Sequence, residues 1–556
     1  MSVFKQLLDK RQSDSTGRRW LFVPYDQLTD GIGPLATEDP TSLGIILVEN
    51  TWKAARRPYH KQKLALILTN LRNFALEQAK RGVAVKYVVA HEAYGNALER
   101  IIAETGPIRM MTPAERELRV DLQRLEKKGD LEFLPHDGWL TTSEHFHESK
   151  KKGPPWRMDV FYRYIRRQTG ILMEKGKPVG GKLSYDVENR LAWKGEPPAP
   201  EVPTFPVDPV KKEVAKLIES RLSHHPGKLD LRRLPGTKSE AKKLWSWAKS
   251  ECLRHFGPYQ DAMSQGSSSL FHTRISALLN IHRLLPAEIV DDVLGMDLPL
   301  PSKEGFIRQV LGWREFVQHV HRATDGFRTM PTGKIPVAKK PGDGGYSRWA
   351  GKAWPDKWSR KDPNGGAKPS FLGANNPLPQ AYWGEESGLN CLDQVVSQVW
   401  REGYGHHITR LMVLANLATL LEISPRELTD WFWVAYGDAY DWVVEPNVLG
   451  MGTYAVGDLM TTKPYTSGAA YINKMGDFCQ SCLFDPKKNC PITNLYWSFL
   501  DRHQESLKNN PRLRMIMATL RKRNTSLRQY DQKVFQRLSK TLKDGAQITP
   551  ENLPKK

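Results

Sequence analysis

LGIILVENTWKAARRPYHKQKLALILTNLRNFALEQAKRGVAVKYVVA, residues 43–90, decides the first part of the fold. LGIILVEN (43–50) and VAVKYVVA (83–90) are short apolar runs that read as buried strands. Between them HKQKLALILTNLRNFALEQAKR (60–81) has helical spacing and a charged face. The alternation continues on both sides. RRWLFVPYD (18–26), IRMMTP (108–113) and LEFLP (131–135) supply further strands, and AERELRVDLQRLEKKG (114–129) a further helix. Strands alternating with helices imply a parallel sheet covered on both faces. The expectation is a Rossmann-like α/β domain over residues 1–145.

Residues 146–209 are basic and mixed and end in the proline-rich connector PPAPEVPTFPVDP (197–209), a composition that resists packing. From residue 210 to 556 the spacing turns helical and aromatic, as in EAKKLWSWAKSECLRHF and LDQVVSQVWREGYGHHITRLMVLANLATLLEI. An all-α domain is expected there. A Gly/Pro/Lys/Trp-rich insertion over 323–380 interrupts it, and a basic helical tail closes it. The insertion reads equally as a solvated linker or as a nucleic-acid contact, where rings stack on bases and cations meet phosphates. No internal repeat is visible.

The chain has 556 residues, enough for two or three domains. Lys and Arg number 82 against 61 Asp and Glu, a net charge of +21 that favours a polyanionic partner, most simply nucleic acid. No signal peptide and no membrane-spanning apolar run are visible, so a soluble cytoplasmic monomer without membrane contact is expected.

Four of the five cysteines, Cys391, Cys479, Cys482 and Cys490, follow the pattern C-x87-C-x2-C-x7-C, with Pro491 after the last. Four thiolates suit an iron–sulfur cluster or a structural zinc, and ordinary buried thiols are the plain alternative. The distant first ligand excludes a small zinc finger. Cys252 stands alone and reads as a core thiol.

Three stretches carry a resemblance to a known family. FIRQVLGWREF (306–316) is similar to the flavin-domain signature of the photolyase/cryptochrome family, and SSSLFHTRISALLNI (267–281) to its phosphate-binding segment. DAYDWVVEPNVLGMGTYAVGDLMTTKPYTSGAAYINKMGDFCQSC (438–482) resembles one branch, the iron–sulfur bacterial photolyases and cryptochromes, also called prokaryotic 6-4 photolyases. The resemblance runs from about residue 19 to 530, with the insertion outside it. It implies FAD in the helical domain, a 4Fe-4S cluster on the four cysteines, a lumazine antenna (6,7-dimethyl-8-ribityllumazine) in the α/β domain, and UV-damaged DNA as the partner.

The resemblance also implies roles for residues. FAD would be held by His272, Thr273, Ile275, Ser276, Gln309, Trp313, Arg314, Asp438, Asp441 and Asn447, with Asn447 facing the reactive ring nitrogen. On their own these residues read as an N-cap, a packed helix and a polar turn. Asp26, Gln27 and Glu49 match antenna positions; Tyr25 stands where the family has glycine, which narrows that pocket. Trp383 and Trp431 match electron-transfer positions, and Phe432 follows where a redox tyrosine would extend the chain. Tyr465 and Tyr471 match positions near the lesion or the cluster. The pair His406–His407 matches the 6-4 repair site, with His407 as proton donor and His406 as its neighbour; a satisfied core histidine is the plain alternative.

The function so implied is light-driven repair of (6-4) pyrimidine–pyrimidone photoproducts, a lyase reaction in which excited reduced FAD lends an electron to the lesion. A blue-light photoreceptor of the cryptochrome type is the second reading, and an iron–sulfur, primase-like nucleic-acid enzyme the third.

Overall fold

The computed structural model describes residues 2–331, 333, 335–336 and 366–555. Five strands form one parallel sheet: β1 Arg19–Phe22, β2 Leu43–Asn50, β3 Ala84–Ala90, β4 Ile108–Met111 and β5 Leu131–Leu134. Their order is β3-β2-β1-β4-β5. Register is set by Arg19 against Leu43, Gly44 against Ala84, Leu21 against Arg109 and Ile108 against Leu131. All eight residues of β2 are buried, as a strand covered on both faces requires. Gly44 lets the Trp20 indole lie flat on β2; a Cβ there would meet the ring at 2.6 Å.

The helices Lys61–Lys80, Tyr94–Thr105 and Arg116–Lys128 connect and cover the strands. Gly129, left-handed at φ 78, ends the last of them and turns the chain into β5. From residue 209 on, the described chain is helical. Its centre is the helix Pro425–Ala435, buried at every position and capped by Ser424, whose hydroxyl accepts from the Glu427 amide. The helix Pro491–Arg502 packs on Thr525–Lys543 at the far side. Among the described residues no helix is long and apolar enough to cross a membrane.

The sheet and the helical body share one hydrophobic core, in which Phe22 and Ile46 belong with Trp431 and Leu449. The seam is also polar. The His60 amide donates to the Val434 carbonyl at 2.8 Å, and the Leu28 amide to the Ile281 carbonyl at 2.9 Å. Lys63 Nζ donates to the carbonyls of Trp433, at 2.9 Å, and Ala439. Arg57 pairs with Glu117 and lies 4.2 Å over the Trp433 ring. The proline-rich connector packs, because Phe205 between its prolines is buried and the Phe205 amide donates to the Arg232 carbonyl. The Lys/Trp-rich core of the insertion, and with it the expected nucleic-acid contact, lies outside the described residues.

Glu315 is the tightest polar lock across the seam. Its buried Oε2 accepts from the amides of Leu140 and Thr141, both at 3.0 Å, and from the Thr141 hydroxyl at 2.8 Å. Glu315→Ala strands these donors and the neighbouring Arg314 charge in the interior. It is expected to destabilise the protein by about 3–5 kcal/mol, read in denaturant or thermal unfolding.

Asp26 has the opposite character. It is buried, and its Oδ1 has no hydrogen-bond partner. Burial pushes its carboxyl from 3.8 up to about 7, against the pull of Lys53. The folded-state value lies above the unfolded one, so the stability this group allows is full below about pH 4 and is lost as pH rises through about 7. Asp26→Asn should match the parent near about pH 3 and be the more stable by up to about 4 kcal/mol above about pH 8, at roughly 1.4 kcal/mol per unit. Paired unfolding curves across pH measure this.

Candidate functional site

The segment 267–281 and the turns 402–410 and 436–441 meet around one cavity of about 490 Å³, within the usual size of a small-molecule site. Arg274 holds one wall. It sits at φ 57, a left-handed conformation that non-glycine residues seldom adopt. Its Nη1 donates to Ser268 Oγ at 3.2 Å, Ser269 Oγ at 3.1 Å and Glu402 Oε2 at 2.9 Å, and its guanidinium lies 3.9 Å over the Tyr404 ring. Burial works to raise the Glu402 carboxyl; Arg274, Ser268 and Arg401 outweigh it and hold the group below the ordinary range.

Asp438 holds the opposite wall. Arg410 grips it with two parallel bonds, Nη1 to Oδ1 at 3.0 Å and Nη2 to Oδ2 at 2.9 Å, and the Ser276 hydroxyl adds a third at 2.7 Å. Burial opposes ionisation, but Arg410 and Ser276 outweigh it, so the carboxyl is held below its ordinary range. The Arg410 guanidinium also lies 4.0 Å over Tyr436, whose buried hydroxyl has no partner. Ser276 begins the short helix Ser276–Asn280, with Thr273 and Ile275 buried in the turn before it.

Three histidines lie beside this cluster. The His272 and His406 rings stack at 4.4 Å and 8°, and His407 stands edge-on to both. Burial drives His272 and His406 well below the ordinary imidazole range, so both are neutral. His407 is 40% exposed, with Nε2 3.8 Å from Asp261 Oδ1. The Tyr471 hydroxyl donates to Asp261 Oδ2 at 3.2 Å. Burial raises the Tyr465 hydroxyl, with Asp186 adding and Arg190 opposing; Arg190 also faces Asp261 at 3.9 Å.

The remaining flavin candidates gather elsewhere. Gln309, Trp313 and Arg314 lie on the π-helical segment Arg308–Arg314, and Asn447 on the π-helical segment Glu445–Gly452. Such widened turns are frequent at functional sites. Arg314 lies 4.2 Å over the Trp139 ring and bonds Glu315 Oε1 at 3.1 Å. Gln309 donates to the Gly305 carbonyl at 3.3 Å, and the Trp313 ring stands edge-on to Phe316. Asp441 Oδ2 accepts from the Glu117 amide at 3.0 Å, and Asn447 donates to the Val443 carbonyl at 2.8 Å. Ser276 and Asp438 line the 490 Å³ cavity; the other flavin candidates do not. In the α/β layer Gln27 donates to the Met111 carbonyl at 3.1 Å, and Glu49 is paired with Arg72 at 2.8 Å and with Tyr87. Neither meets Asp26 through a hydrogen bond.

An aromatic file runs from the half-buried Trp383 inward. Trp383 stacks on Trp400 at 5.4 Å, Trp400 meets Trp431 edge-on at 5.9 Å, and Trp431 meets Tyr436 at 6.0 Å. Phe432 stacks on Tyr436 from the side, at 5.4 Å.

All four cysteines of the C-terminal set line one apolar cleft with Phe478, Phe484 and Ile492. Cys391 lies in the helix Asn390–Glu402, Cys479 in the turn Phe478–Ser481, and Cys490 caps Pro491–Arg502. Asn390 Nδ2 donates to the Phe478 carbonyl at 2.7 Å and ties helix to loop. Burial raises the thiols, Cys479 to about 11 and Cys490 to about 12, so a metal binding here displaces protons. Cys252 is buried apart, with Sγ 3.9 Å from the His272 carbonyl.

Sequence reasoning missed Arg274, Glu402, Arg410, Asp261 and Trp400. Arg410 lay four positions after His406, one helical turn away, and Arg274 lay inside the phosphate-segment resemblance. Glu402, Asp261 and Trp400 carried no local signal.

A family model described as deoxyribodipyrimidine photo-lyase-related protein matches residues 21–233. A (6-4) photolyase of Agrobacterium fabrum is 31% identical over 519 residues, covering 89% of this chain and 94% of that protein. Among solved structures, a Synechocystis cryptochrome superposes with a TM-score of 0.53 at 14% identity, over 89% of this chain and 90% of the other. A bacterial class III photolyase from Agrobacterium tumefaciens gives 0.47 at 16% identity, over 98% and 94%. The cryptochrome superposition extends the likeness to the fold, a parallel-sheet layer on a helical body. The chain belongs to the deoxyribodipyrimidine photo-lyase-related family.

Proposed function

We propose that this protein is a light-driven DNA repair enzyme acting on (6-4) pyrimidine–pyrimidone photoproducts. The observation that carries this reading is the half-exposed His407, paired with Asp261 and packed against two buried neutral histidines, in a chain similar over nearly its whole length to a protein named (6-4) photolyase. A half-exposed imidazole beside a carboxylate is placed to reach a substrate and to act as a general acid. Tyr471 orients the Asp261 carboxylate toward His407. His406, buried behind His407, is its packing partner.

The family implies a flavin, and we infer FAD. The residues present fit the group. Arg274 with Ser268 and Ser269 offers a cationic, hydroxyl-rich wall suited to a pyrophosphate, and Ser276, Arg410 and Asp438 offer polar contacts opposite. The flavin, when bound and reduced, supplies under blue light the electron that the lesion accepts and later returns. The protein's own tasks are to hold the lesion out of the base stack, exclude water and deliver the proton from His407 Nε2. The positive net charge supports docking on DNA phosphates.

The cysteine set is read as the seat of a 4Fe-4S cluster. Four thiols around one cleft are the right donor set. The thiols come from separate elements around that cleft, which a bound cluster would draw together. Its role would be to staple the Cys391 helix to the 479–490 loop. For a lumazine antenna the support is Asp26, whose buried Oδ1 has no partner; Gln27 and Glu49 are satisfied within the protein. Tyr25, which stacks on Tyr440 at 6.3 Å, adds bulk beside Asp26.

The test is a repair assay with photoreduced protein on oligonucleotides carrying a 6-4 lesion or a cyclobutane dimer. Repair of the 6-4 substrate only in blue light is expected, with His407→Ala slower by about 10²–10⁴-fold and unchanged in bound flavin. Repair of the dimer alone would overturn the lesion assignment. No repair by flavin-loaded, photoreducible protein would turn the reading to a photoreceptor.

The Trp383–Trp400–Trp431 file is the proposed route for photoreduction. Trp400→Phe should slow flavin photoreduction at least several-fold, seen in time-resolved absorption. Repair by chemically pre-reduced protein should be unaffected.

A further inference from the structure

We propose that His272, His406 and His407 form a binding site for a late first-row divalent cation, zinc foremost, and that its occupancy switches repair off. The binding stands on geometry alone. The switch rests on the repair reading above.

One ring nitrogen from each histidine lies within 4.8 Å of those of the other two, the compact three-ligand grouping among the described residues. Zinc–nitrogen bonds of about 2.0–2.1 Å place tetrahedral nitrogens about 3.3 Å apart, so closing the site takes shifts of an ångström or so together with a rotation of the His406 ring out of its stack on His272, so that both in-plane lone pairs meet the ion. Each ring has a reason to serve. His272 Nε2 faces the Gln260 carbonyl at 3.1 Å. A carbonyl only accepts, so Nε2 carries the hydrogen and Nδ1 keeps its lone pair, the outer-shell arrangement common to metal-bound histidines. His406 is 3% exposed and neither of its ring nitrogens has a partner. A buried polar ring without partners is rare and destabilising; a metal bond supplies what the protein does not. His407 is 40% exposed and gives the ion access from solvent. Asp261 Oδ1 faces His407 alone, at 3.8 Å from Nε2, and leaves the fourth position to solvent.

The nearby cation Arg410 is bound on both terminal nitrogens by Asp438, which limits its repulsion of an incoming ion. Three imidazoles select zinc, copper and nickel over magnesium and calcium. Zinc is redox-inert, so the bound ion neither takes nor gives electrons. Its effect is on the proton: an imidazole whose nitrogen is bonded to metal has none to donate there, and the lesion goes unprotonated.

The experiment uses flavin- and cluster-loaded protein titrated with zinc chloride by calorimetry, followed by the repair assay with and without zinc. One tight equivalent is expected, lost in His406→Ala and in His407→Asn. Repair should fall about tenfold or more at saturating zinc and recover on adding EDTA. Absence of tight binding, or binding unchanged in both variants, overturns the site. Should either variant fail to fold, X-ray absorption at the zinc edge of the unaltered protein decides: imidazole scattering supports the site, a first shell of sulfur alone overturns it. Zinc held by these histidines in a protein that repairs nothing leaves the site standing and removes the repair reading. Zinc held there with repair undiminished overturns the switch.

Discussion

The fork between Arg410 and Asp438 is the contact on which the helical body turns. Asp438 also accepts from Ser276, and its carbonyl accepts from Asn280 at 2.8 Å. Three segments far apart in sequence are thereby fixed on one carboxylate: the helix 276–280, the 409–415 turn and the 436–441 bend. Asp438 is buried and Arg410 partly so, and removing Arg410 leaves a bare carboxylate in the interior, which costs about 3–5 kcal/mol in comparable settings. Three residues further on, Asp441 accepts the Glu117 amide, so the same bend also fastens the α/β layer.

The two layers are joined at several such points. Glu315 gathers the 140–141 turn, Lys63 reaches two carbonyls of the helical body, and Arg57 joins Glu117 while lying over Trp433. A seam of this kind couples the sheet's stability to the packing of the central helix Pro425–Ala435. The cysteine cleft lies between a helix and a loop that the Asn390 side chain ties together through Phe478 and Ser481.

The parallel sheet was legible because its signal is local. Each strand is an apolar run and each helix a periodic one, and all five expected strands formed inside their quoted stretches, the first of them ending at Phe22, four residues before its stretch does. The four cysteines that line one cleft were singled out by residue type and spacing. Contacts between distant segments were not. His272 stacks on His406 across 134 positions, and nothing in either neighbourhood announces the other. Trp400 reads in sequence as one more apolar position of an amphipathic helix; its place between Trp383 and Trp431 exists only after folding. Arg274 lay inside a quoted segment, but its left-handed backbone and its bond to Glu402, 128 positions away, carry no local signal. The connector 197–209 packs because Phe205 supplies apolar surface that its prolines do not.

That connector has a further consequence. Ala199 to Val202 and Phe205 form part of the wall of the 490 Å³ cavity, so the strap between the two layers is also a side of the ligand chamber. Whatever fills the chamber presses on the strap and holds it in place. A ligand bound there therefore adds to the stability of the connection between the two layers as well as to that of its own chamber.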